Sequence, residues 1–157
     1  MRARDSMRGS AAIVGVADAV SPTGELGGHV RAWEAAMARE ALADAGLSLS
    51  DVNVIACCTG GTLMHAVELA EHLGIQPCWT DSTNTGGSAF EVHVEHAAAA
   101  IHLGLCDVVL IVYAGLPRSS PGGIGALHTG PRIEWELPYG LMLPTGAYAL
   151  AASRHMA

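Results

Sequence analysis

Residues Cys78 to Tyr113, CWTDSTNTGGSAFEVHVEHAAAAIHLGLCDVVLIVY, decide how this chain folds. Cys78 to Ser82 is a short β-prone run, broken at Gly86 and Gly87. An Ala-rich helical segment follows, stops at Gly104 and gives way to the apolar strand Asp107 to Tyr113. Strand, helix and strand in that order predict a βαβ unit. Phe90, Val94, Ala97, Ala98, Ile101 and Leu105 recur at helical spacing and the other positions are largely Ala, so the helix is expected to lie deep in the protein. The amides of Gly86, Gly87 and Ser88 at its N-terminus would then form a place for an anion or a developing oxyanion.

On the N-terminal side the pattern repeats. Ala11 to Val16 reads as a buried strand; Val30, Trp33, Met37 and Ala41 mark a helix that Gly46 closes; Val52 to Cys57 reads as a second strand. Leu63, Val67, Ala70 and Leu73 mark a further helix, ended by Gly74. Short apolar strands alternating with helices of this length predict an α/β fold with a mostly parallel sheet and helices on both faces. Beyond Tyr113, residues 114–144 hold five prolines and six glycines and read as a long loop. Thr145 looks like the N-cap of a helix over 146–157, which ends without a stop signal, so the chain is expected to be the front part of something longer. The expected organisation is a tail at 1–10, a βαβαβαβ core at 11–113, the loop segment at 114–144 and the start of a further helix at 145–157.

Composition narrows the function. A chain of 157 residues, half of them apolar, buries about two thirds of its unfolded surface in one core. A net charge of −7 argues against nucleic acid or an anionic membrane as partner, and no apolar run approaches the roughly 20 residues of a membrane span. A soluble cytoplasmic protein is expected; Asp5 and Asp18 spoil the likeness of the N-terminus to a signal peptide. All eight basic residues are Arg, which excludes Schiff-base chemistry and a P-loop lysine within the chain. Cys57, Cys58, Cys78 and Cys106 have no CxxC spacing and read as buried reduced thiols.

His93 and His96 stand i, i+3 beside Glu91 and Glu95, whereas zinc helices pair His at i, i+4 with a third ligand, so no metal is expected there. His65, Glu68 and His72 read as a solvated helix face. GVADAV after the first strand is not a dinucleotide-binding GxGxxG. The turn Thr59, Gly60, Gly61, Thr62 is either a phosphate cradle or a tight helix-to-sheet packing point, and the second is expected.

AAIVG, EALADAGLSLSDVNVI, the glycine turn with its helix ending AAAAIHLGLCDVVLIV, and PYGLMLPTGAYALAASRHM together resemble the N-terminal half of a thiolase-like protein. The branch is the sterol-carrier or lipid-transfer-protein type. The resemblance implies two similar halves with the central helices stacked between sheets. In true thiolases a cysteine nucleophile begins the central helix; counting back from Asp107, Gly104 and Ile101 puts that position on Gly87. Glycine supplies no nucleophile, and neither Ser88 nor Thr85 has a histidine at an activating spacing.

The chain therefore resembles the cysteine-less retro-aldolases that cleave CoA-linked steroid side chains, with proton transfer by Tyr residues of the other half. On that resemblance acyl-CoA is the substrate, no cofactor is bound, and the loop segment, with Met142 and Leu143, lines the acyl-CoA pocket. It also implies a homodimer through Cys78 to Ser82 and an OB-fold or zinc-ribbon acyl-CoA-binding partner. Residues 1–157 alone are expected to be catalytically silent. A non-catalytic acyl-CoA or lipid carrier, a scaffold subunit and a thiolase-type acyltransferase stay open as alternatives.

Overall fold

The computed structural model describes residues 6–58, 63–116, 118–119, 131–139 and 143–157. They fall into two compact units, Met1–Thr23 with Gly27–Gly115 and Gly24–Leu26 with Leu116–Ala157. The first contains helix α1 (Val30–Asp44), strand β1 (Val54–Cys57), α2 (His65–Leu73), β2 (Trp79–Asp81), α3 (Ala89–His102) and β3 (Val109–Val112).

β1 pairs in parallel with both other strands, giving the order β2-β1-β3; Ile55 stands opposite Thr80 on one side and Leu110 on the other. Every residue of β1 is buried, as a central strand covered on both faces requires. Ile55 and Cys57 pack with Leu110, Val112 and the inner faces of α1 and α2, while Val54 packs with Ala100, Cys106 and Val109 beneath α3. Helices therefore cover both faces of a parallel sheet, as the alternating pattern predicts.

The three helix stops fall where the sequence places them. Gly46, Gly74 and Gly104 adopt φ of 68°, 73° and 69°, the left-handed region that ends a helix without a Cβ clash. The Leu47 amide then returns to the Leu42 carbonyl at 2.8 Å.

The faces differ from the expected ones. α1 buries Glu34, Ala35, Ala38 and Leu42 rather than the stripe through Val30, Trp33, Met37 and Ala41. α2 buries His65, Ala66, Leu69, Ala70 and Leu73, leaving Leu63 and Val67 exposed. α3 buries Ala89, His93, Ala97 and Ala100, and in the chain by itself Val94 and Leu105 are exposed. In each case the buried face includes a polar side chain with a hydrogen-bond partner on another segment, an arrangement that apolar spacing does not register.

The expected first strand is also corrected. Among the described residues the sheet has three strands, and Ala11 to Val16 is not one of them. The segment runs along α1 instead: a Cβ on Gly15 would collide with the Ala41 carbonyl, and the Val16 amide donates to Asp44 at 3.0 Å. Both flanks of β1 are already taken, and Ile13, Val14 and Val16 stay exposed.

In the second unit Pro131–Glu136 (α4) and the 3-10 turn Leu137–Tyr139 are helical within what reads as loop. α5 (Leu143–Met156) begins before the expected cap, so Thr145 lies inside its first turn. Pro131 and Pro144 fit there because a helix's first amides need no intrahelical acceptor. No helix of the described residues is long and apolar enough to cross a membrane.

Candidate active site

β2 ends at Asp81, and the chain reaches α3 through Ser82 to Thr85 and a 3-10 turn, Gly86–Ser88. The Asn84 side chain accepts the Gly86 amide at 3.0 Å, and Gly86 adopts φ +78°, which only glycine takes without strain. Gly87 differs: a Cβ there would meet nothing within 4 Å. Among the described residues there is room for a cysteine Cβ at this position. The first amides of a helix have no intrahelical acceptors. Gly86 has spent its amide on Asn84. The Ser88 hydroxyl lies 3.3 Å from Thr85 Oγ1 and 3.4 Å from the Thr85 carbonyl, so among the described residues it touches no imidazole.

Beside this turn stand the two histidines of α3. Asp81, buried, accepts His96 Nδ1 at 2.6 Å and the Thr83 amide at 2.8 Å. Burial alone would push its carboxyl up, yet the hydrogen bonds from His96 and Thr83, with His93 nearby, hold it below the usual carboxylate range. His93 is fully buried, with Nε2 3.0 Å from the Thr83 carbonyl and 3.9 Å from Asp81 Oδ1; its Nδ1 has no partner among the described residues. The pair is a fastening between α3 and β2. Among the described residues neither histidine belongs to a metal-ligand cluster.

The cysteines are not uniformly buried. Cys57 and Cys106 are, Cys58 is half-buried, and Cys78, at the open end of an edge strand, is exposed. All four are free thiols. Burial and the charge of Asp81 raise the Cys58 thiol, and burial, then Cys78 and Asp107, raise Cys106, so neither is primed as a thiolate.

Sequence reasoning missed a second polar cluster. His65, read as solvated, is buried, and its Nε2 lies 2.8 and 2.9 Å from the two carboxylate oxygens of the fully buried Glu34. Arg31 lies 3.5 Å from His65 Nδ1 and pairs with Glu68 at 2.7 Å. The detectable signal was a single Glu inside an otherwise small, apolar helix face. Residues 59–62 and Met142 lie outside the described residues, as does the side chain of Leu143.

The chain superposes on the Ltp2-ChsH2(DUF35) aldolase with a TM-score of 0.71 and 28% identity, over 85% of this chain and 34% of that one. It superposes on a monomeric SCP2-thiolase like protein type 1 from Mycobacterium smegmatis with a TM-score of 0.53 and 22% identity, over 63% of this chain and 22% of that one. The fold is thiolase-like. Among curated proteins, this thiolase-like chain is 31% identical over 160 aligned residues to the 17-hydroxy-3-oxo-4-pregnene-20-carboxyl-CoA lyase of Mycobacterium tuberculosis (strain ATCC 25618 / H37Rv). That alignment takes in 96% of the chain and 41% of the lyase, so the chain spans about two fifths of its relative's length. No family model matches the chain.

Proposed function

We propose that this chain is part of a retro-aldolase that cleaves a carbon-carbon bond in a CoA-linked steroid or lipid side chain. The reading is supported by the 31% identity to a steroid side-chain CoA lyase and by the sequence count that would put Gly87, at the head of α3, at the nucleophile position of thiolases. Retro-aldol cleavage needs no acyl-enzyme. A base takes the hydroxyl proton, the hydroxyl-bearing carbon becomes a ketone, and the bond to the α-carbon breaks. Its electron pair passes into the thioester as an enolate, and protonation of the α-carbon releases a short acyl-CoA. The Gly87 and Ser88 amides would face the enolate oxygen, where fixed donors act most strongly on developing charge.

Met142 and Leu143 are proposed to line the acyl-CoA pocket, with no cofactor bound. A homodimer is proposed through Cys78 to Ser82, whose strand Trp79–Asp81 is an edge of the sheet among the described residues. The joint name of the Ltp2-ChsH2(DUF35) aldolase supports a second component, for which an OB-fold or zinc-ribbon acyl-CoA-binding protein is proposed. A cytoplasmic location completes the reading.

The test is incubation of the protein with a 17-hydroxy steroid 20-carboxyl-CoA, with and without such a partner, followed by chromatography. Release of a ketone together with a short acyl-CoA supports the lyase. Thioester binding without release would favour the carrier, and acyl transfer to a second thioester would favour an acyltransferase.

A further inference from the structure

The geometry points to a divalent transition-metal site of the zinc or cobalt(II) class formed by Glu34, Cys57 and His65, away from the head of α3. Glu34 comes from the middle of α1, Cys57 is the last residue of β1, and His65 is the first of α2. One donor atom from each lies within 4.8 Å of the others. Glu34 and Cys57 are fully inaccessible and His65 is 7% exposed.

The surroundings make this cluster costly unless it is compensated. Ala35, Ala38, Ile55, Ala66 and Leu69 belong to the apolar core from which the three donors emerge. A carboxylate taken into such a core needs a close opposite charge or strong donors. His65 Nε2 supplies one, straddling both Glu34 oxygens at 2.8 and 2.9 Å. A metal between them would supply more. With bonds of about 2.0 to 2.1 Å in tetrahedral geometry, ligand atoms sit about 3.3 Å apart, so the imidazole and carboxylate need part by only a few tenths of an ångström.

Donor chemistry selects the ion. One imidazole, one thiolate and one carboxylate suit zinc or cobalt(II), whereas magnesium and calcium favour oxygen alone. Charge balances as well. The thiolate and the carboxylate neutralise a doubly charged ion, and Arg31 is already neutralised by Glu68 at 2.7 Å. On loading, Cys57 releases its thiol proton to solvent. The His65 ring proton leaves Nε2 and Nδ1 carries one instead, so the 3.5 Å contact from Arg31 to Nδ1 breaks and the guanidinium stays on Glu68 alone. Three protein ligands leave a fourth position for a water.

The experiment is titration of the purified, chelator-stripped chain with Co(II) under a non-chelating reductant. The expected result is one equivalent bound, with a thiolate-to-cobalt charge-transfer band and tetrahedral d-d bands. Cys57→Ser should abolish the charge-transfer band, while Cys58→Ser, Cys78→Ser and Cys106→Ser keep it. Glu34→Gln and His65→Gln should each weaken binding by at least about tenfold, since even outer partners of a metal site cost that much. Circular dichroism of each variant separates loss of a ligand from loss of the fold, and Zn(II) should raise the thermal midpoint of the wild-type chain. Absence of any charge-transfer band, or its survival in folded Cys57→Ser, overturns the proposal.

Discussion

His96 Nδ1 stands 2.6 Å from Asp81 Oδ2, tying the third turn of α3 to the last residue of β2. The contact joins an exposed imidazole to a buried carboxylate whose other oxygen accepts the Thr83 amide. It fixes the direction in which α3 leaves the sheet, and with it the position of the Gly86–Ser88 turn.

The Asp81 contact makes acid stability measurable. Its carboxyl is lowered in the folded chain relative to the ordinary 3.8, so it contributes stability that is fully present above that value and is lost as pH falls through the lower folded one. Urea midpoints followed from neutral pH downward should decline below about pH 4. Asp81→Asn should flatten that decline and cost about 0.5 to 1.5 kcal/mol at neutral pH, the range for one hydrogen bond, since the His96 imidazole it leaves is exposed. An unchanged acid limb in Asp81→Asn would refute the assignment.

Glu34 and His65 predict a larger effect. Removing one member of a buried pair leaves the other unsatisfied, so Glu34→Ala in the presence of chelator should lose about 3 to 5 kcal/mol of unfolding free energy. Glu34→Met with His65→Leu should recover much of it, because an apolar pair of similar volume leaves no orphaned group. Additive losses in the double variant would show that the two side chains act independently.

Thiol labelling should follow exposure and thiolate character. Iodoacetamide is expected to modify Cys78 first, Cys58 more slowly because burial and Asp81 raise its thiol, and Cys57 and Cys106 only on unfolding. Gly87→Cys should fold as the wild type does, since nothing lies within 4 Å of the new Cβ, and should add a fast-reacting thiol at the helix N-terminus. Peptide mapping by mass spectrometry reads both, and slow labelling of the introduced thiol in a folded Gly87→Cys variant would contradict the open geometry of the turn.

Edge exposure of β2 predicts self-association. Sedimentation velocity across micromolar concentrations should detect a dimer, and amide exchange at Trp79–Asp81 should slow as the dimer fills. A monomer throughout that range would refute the dimer.

The sequence by itself determined the order of elements from α1 to β3, the parallel sheet, the positions of Gly46, Gly74 and Gly104 as helix stops, and the glycine at the head of α3. These are local properties: apolar run length, helical spacing and the freedom of glycine at positive φ act within a few residues. Only the tertiary structure decided which way each helix faces. Glu34 and His65 turn α1 and α2 toward each other from residues thirty-one apart, and His93 turns α3 onto the carbonyl of Thr83. It also decided that Ala11 to Val16 lies on α1 rather than in the sheet, since the flanks of β1 are filled by strands from later in the chain. A polar residue counted as outward by its type goes inward when a distant segment supplies its partner, and that partner is not visible from spacing along one helix.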